Sequence, residues 1–131
     1  MGKWITSTMD VRVLGNRSYE LLSIIRYEDD NGQIYEAPIG LKTDFGSTWG
    51  IPLISSNMDG FAQMACALHD HNYETGLLSR ECADNLLKES SYAELVMNGM
   101  AMDKAEDLAN TFYYGVRIFG RSHYNKKEGI E

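Results

Sequence analysis

Residues 65–87 read ACALHDHNYETGLLSRECADNLL, and the fold follows from how this stretch is parsed. Its first residues are apolar and core-like, Gly76 stops the segment, and Ser79 is a good N-cap for a second one. Ala83, Leu86 and Leu87 then recur at helical spacing. Two helices joined by so short a connection pack antiparallel. His69 then lies about one turn before the end of the first helix and Asp84 about one turn into the second, so the two face each other. Tyr73 follows His69 by one turn on the same face. Asp70, rotated by about 100°, points to a neighbouring site. An Asp that accepts from one imidazole nitrogen fixes the tautomer, and the other nitrogen can then act as base or ligand. The same pair can equally do no more than satisfy two buried polar groups.

The first helix extends back to about residue 58, with Asp59 as its cap, and the second carries Leu95 and Val96 on to a stop at Asn98-Gly99. A third helix is expected over about 102–119. Ala105, Leu108, Phe112, Val116 and Phe119 form its buried stripe, and Gly120 serves as a left-handed terminator. Ahead of the helices the chain reads as β. MDVRVL, SYELLSIIRYE and QIYEAP are separated by GN and DDNG, which predicts a three-stranded antiparallel meander over about 9–38. Asn31-Gly32 would supply a type I′ turn, and KWIT an additional edge strand. Residues 39–57 have no steady period and form a long loop, whose Phe45, Trp49, Ile51 and Leu53 require burial. The expectation is one α+β domain: a β part at about 4–38, a functional loop at 39–57, a helical part at 58–120 and a frayed tail at 121–131.

With 131 residues, 44% of them hydrophobic and 24% charged, the chain can build a real core. A formal net charge of -7 argues against a phosphate-tracking nucleic-acid binder. No apolar run approaches transmembrane length, and MGKWITSTMD lacks the apolar core of a secretory signal. Cys66 and Cys82 are too few for a disulfide scaffold or a zinc ribbon, and the helix register keeps them apart as free thiols. His71 reads as a surface residue.

Four elements in order carry a resemblance: Ala37-Pro38-Ile39-Gly40-Leu41, then Thr43, Asp44, Phe45 and Ser47, then His69, Asp70 and Tyr73, then Ala83-Asp84. They resemble a family of small phage and prophage proteins catalogued as domain of unknown function 1353, over about residues 19–119. Gly46 stands where that family usually has alanine, and TWGIP replaces the usual proline after the loop motif. ACALHDHNY is also similar, more weakly, to the C-x-x-H-D-x-x-Y helix of phospholipases A2, and Arg80 and Asp84 match the R-x-x-x-D of a following helix there. That likeness implies His69 as the base for an attacking water and Asp84 as its orienter. It implies Asp70 as a ligand of calcium, with TDFGSTWG and its Asp44 in place of the calcium loop. The disulfides of those enzymes are absent.

The resulting expectation is a phage-encoded hydrolase-like protein with His69, Asp84 and Tyr73 as catalytic residues. Asp70 and Asp44 would be ligands of a divalent cation, and Thr43, Ser47 and Arg80 would support the site. Its target would be a component of the bacterial envelope, and its location the virion or the host cytoplasm. The first alternative is a non-enzymatic virion or tail-assembly component, bound to other phage proteins. The second is a host-interaction or counter-defence protein that uses its acidic surface. An enzyme needs an open cleft at the polar cluster, whereas a structural role permits a sealed one.

Overall fold

A computed structural model describes residues 2–16, 18–44 and 62–124. Strands β1 (Lys3–Trp4), β2 (Val11–Gly15), β3 (Ser18–Leu21), β4 (Ile25–Glu28), β5 (Ile34–Ala37) and β6 (Lys42–Thr43) precede three helices. These are α1 (Gln63–Thr75), α2 (Arg80–Met97) and α3 (Met102–Phe119), followed by a 3-10 turn at Arg121–His123. The α+β class and the order of strands before helices are as expected. The strands form two antiparallel sheets rather than one meander, in the orders β1-β4-β5 and β2-β3-β6. The stretch SYELLSIIRYE breaks at residues 22–24 and passes from one sheet to the other. Leu21, Ile25 and Tyr27 keep the same inward parity across the break, and all three are fully buried. One continuous sequence pattern therefore serves two sheets, with Ser23 at the corner.

KWIT does add an edge strand, with Trp4 opposite Tyr27 in the ladder. Trp4 donates its indole N–H to the Ser90 carbonyl at 2.9 Å and meets Tyr27 edge-on at 5.1 Å, which pins the first sheet to α2. The β4–β5 turn starts at Asp29, earlier than a two-residue turn at Asn31-Gly32 would. Gly32 N–H donates to the Asp29 carbonyl, and Asp29 Oδ1 accepts from the amides of Asn31 and Gln33. Gly32 alone takes the positive φ of 82° that this three-residue loop requires.

The helical hairpin is as the sequence implies at its turn. Gly76 adopts φ 63° and donates to Asn72, and Ser79 Oγ accepts from the Cys82 amide. At the other end α1 starts at Gln63, after an Ala62 with no side-chain cap. Its first donors are met from afar: the Glu94 carboxylate of α2 accepts from the Met64 and Ala65 amides at 3.1 and 2.9 Å. The expected cap, Asp59, lies outside the described residues, as do Phe45, Ser47, Trp49, Ile51 and Leu53. Gly120 is not left-handed, with φ at −83°. The end of α3 is closed instead by Arg80, whose Nη2 donates to the carbonyls of Val116 and Arg117 at 2.7 and 2.8 Å. Phe119 runs past this cap and is half exposed, while Ala105, Phe112 and Val116 are buried as read. Cys66 is buried, Cys82 is exposed, and both are free thiols.

Candidate functional site

His69, Tyr73, Arg80 and Arg117 converge on Asp84, which has no exposed surface. His69 Nε2 meets Asp84 Oδ1 at 2.8 Å, and the Tyr73 hydroxyl donates to the same oxygen at 2.6 Å. Arg117 Nη1 donates to Oδ2 at 2.8 Å. Arg80 Nε lies 3.9 Å from Oδ2 and donates to the Tyr73 hydroxyl at 3.0 Å. The His69 ring packs at 4.2 Å on the ring of Tyr73. His69 keeps 4% and Tyr73 2% of their surface, so both are buried with Asp84, while the Arg117 side chain reaches solvent.

The protonation states follow from burial and partners. Burial pushes the His69 imidazolium toward its neutral form and outweighs the opposing pull of Asp84, so its pKa is lowered. Burial also pushes the Asp84 carboxyl up, but hydrogen bonds from His69, Tyr73 and Arg117 outweigh it and hold Asp84 below its usual range. The pair is therefore a neutral imidazole donating to a carboxylate whose charge the arginines balance. With Nε2 committed to Asp84, any proton that His69 takes from a reactant must go to Nδ1.

Asp70, one residue on, faces the other way. It is partly buried and lines an open cleft of about 430 Å3 with Lys42, Thr43, Asp44, Tyr73 and Glu74. The Thr43 hydroxyl donates to Asp70 Oδ2 at 2.5 Å, and the Asp44 amide donates to the same carboxyl. Burial, together with the Asp44 and Glu74 carboxylates, raises the Asp70 pKa to about 7, against the opposing effect of Thr43. The loop residues Thr43 and Asp44 thus sit beside the helical cluster, as their polarity inside an apolar segment required. Ser47 lies outside the described residues. Asp70 and Asp44 share the cleft, and among the described residues no group of three His, Cys, Asp or Glu side chains is placed to hold a metal ion. Sequence reasoning placed His71 on the surface. It is half-buried and lines a second cleft with Lys42 and Glu74.

A family model described as "Protein of unknown function (DUF1353)" matches residues 19–105. The chain belongs to that family. The DUF1353 match takes in Thr43, Asp44, His69, Asp70, Tyr73, Arg80 and Asp84, and stops short of Arg117 and His123. No curated protein and no solved structure matches the chain. Arg117 is the member of the Asp84 network that sequence reasoning missed. The signal for it was an arginine next to Val116 on the most amphipathic helix, where a stripe reading counts only the apolar positions. Lys42 and Glu74 of the clefts were missed because their proximity depends on how β6 docks on α1, and His123 because it depends on where the turn after α3 returns.

Proposed function

We propose that this chain is a small hydrolase of phage or prophage origin that acts on a component of the bacterial envelope. In this reading Asp70 exchanges the proton, and the His69–Asp84–Tyr73–Arg117 network holds α1 in place behind it. The observation that carries the reading is the division of the cluster. Two consecutive residues of one helix face a sealed network and an open polar cleft, and the carboxyl in the cleft titrates near neutrality. A carboxyl with a pKa near the working pH can both take a proton from water and return it. Thr43 and the Asp44 amide fix its orientation. The phage setting rests on the resemblance set out above. The loop that would supply the remaining donors of a calcium site lies outside the described residues, and no step is assigned to calcium.

The test is product release from purified cell-wall sacculi and envelope lipid vesicles, with Asp70→Asn and His69→Asn beside the parent chain. Asp70→Asn is expected to lose at least ~100-fold in rate while remaining folded at the assay pH. The bend of the pH–rate profile near pH 7 should vanish with it. If His69→Asn removes activity without loss of stability while Asp70→Asn does not, the proton moves through His69 Nδ1 and the assignment of Asp70 fails.

A second reading is favoured by the sealing itself. Asp84 at 0% exposure, with three donors, is what a purely structural network looks like. A virion or assembly component would retain it for rigidity alone. That reading requires the chain in purified particles and no hydrolysis of either substrate.

A further inference from the structure

The two clefts are lined by different residues except at two positions: Lys42 on β6 and Glu74 on α1 border both. They have volumes of about 430 and 400 Å3, each large enough for a compact ligand. One cleft runs from this waist past Asp70 and Tyr73 to Ser18 and His123. The other runs past His71 and Thr75 to the turn at residues 38–41. We infer that they form one continuous groove, with Lys42 and Glu74 at its waist, and that it takes an extended, uncharged glycan strand. The inference rests on the hydrolase reading for the fate of the strand, but not for its binding.

The lining chemistry selects the ligand class. Both halves are lined by mixed polar groups: carboxylates at Asp44, Asp70 and Glu74, the Lys42 ammonium, and hydroxyls at Thr43 and Thr75 that donate to Asp70 and to the Asn72 carbonyl and so keep acceptor capacity alone. A chain of hydroxyl and acetamido groups matches such a surface, because each sugar presents both kinds of partner. The three carboxylates and the net charge of -7 repel a polyanion, which sets aside nucleic acids and phosphate-linked polymers. An extended peptide would need ladder pairing and apolar side-chain pockets. β6 offers two residues of strand, and apolar lining is confined to the turn at one end.

The test uses the full-length Asp70→Asn chain, which binds without turnover, and N-acetylglucosamine oligomers from dimer to hexamer, titrated by calorimetry. Affinity is expected to rise at least ~10-fold from dimer to hexamer as the second cleft is engaged. Lys42→Ala and Glu74→Ala, both at exposed positions that border both clefts, are each expected to weaken hexamer binding about 5-fold. Equal affinity for dimer and hexamer, hexamer binding that ignores both variants, or binding of cell-wall stem peptides in place of the oligomers overturns the groove. Hexamer binding with no cleavage by the parent chain leaves the groove standing and removes the hydrolase. Hydrolysis of an envelope component without oligomer binding does the reverse.

Discussion

At the scale of single residues the chain commits its strongest interactions to one carboxylate. Asp84 is fully buried, accepts from His69, Tyr73 and Arg117, and lies 3.9 Å from Arg80 Nε. Removing a buried, fully paired ion strands its partners, so Asp84→Ala should cost about 3–5 kcal/mol in denaturant unfolding. The neighbouring Asp70 carries a pH signature of its own. Its native carboxyl keeps a proton up to about pH 7, whereas the reference value is 3.8. Between those values the native state binds the extra proton, so stability falls as pH rises through that window. Asp70→Asn removes this contribution. The unfolding free energy of the variant relative to the parent should therefore climb between about pH 5 and about pH 8, by an amount on the order of 1–3 kcal/mol. His69 works in the opposite direction. Its pKa is lowered below 6.5 in the fold, so stability is lost as pH falls through 6.5. A flat or falling Asp70→Asn difference would mean that Asp70 is charged at neutrality.

At the scale of elements, two distant residues do what local sequence does not. Glu94 caps α1 from the last turn of α2, and its own carboxyl is raised by burial to about 7. Glu94→Ala leaves two buried amides without acceptors and should cost about 2–3 kcal/mol, and Glu94→Gln, which keeps an acceptor, clearly less. Gly2 is a second such place. A Cβ there would come within 2.2 Å of the Tyr27 hydroxyl and 2.5 Å of the Glu28 carbonyl. Gly2→Ala should loosen β1 and cost about 1–3 kcal/mol. These cases mark what was legible. The helical hairpin, the boundaries of α2 and α3 and the His69–Asp84 contact were readable, because Ser79, Gly76 and the spacing between the two helices are local signals. The division of strands between two sheets was not, because Leu21 and Ile25 have the same alternating pattern whichever neighbour they pair with. The start of α1 and the closure of the C-terminus of α3 were hidden for a related reason, since Glu94 and Arg80 act across the fold. The sealing of His69, and with it the shift of open chemistry to Asp70, depends on packing that spacing alone cannot express.

At the scale of the whole molecule, the two cysteines report on the core independently of the site. Cys82 is exposed on α2, while Cys66 is buried in α1 with its thiol pKa well raised by burial. Ellman's reagent should therefore find one reactive thiol per native chain and two after unfolding without reductant. A single thiol after unfolding, or none, would contradict the helix register. Arg80 has a wider effect than closing one helix. It stands at the first turn of α2, binds the hydroxyl of Tyr73 on α1, and holds the last carbonyls of α3. The end of α1, the start of α2 and the end of α3 are thus fastened at one point, and none can open without releasing the other two. In native-state hydrogen exchange, amides from all three places should share one opening free energy and lose protection together in Arg80→Ala. The cooperative unit would then extend at least to Arg117, past the residue at which the family match stops. A fragment cut at that boundary would keep every residue of the matched motifs and still fail to close around them.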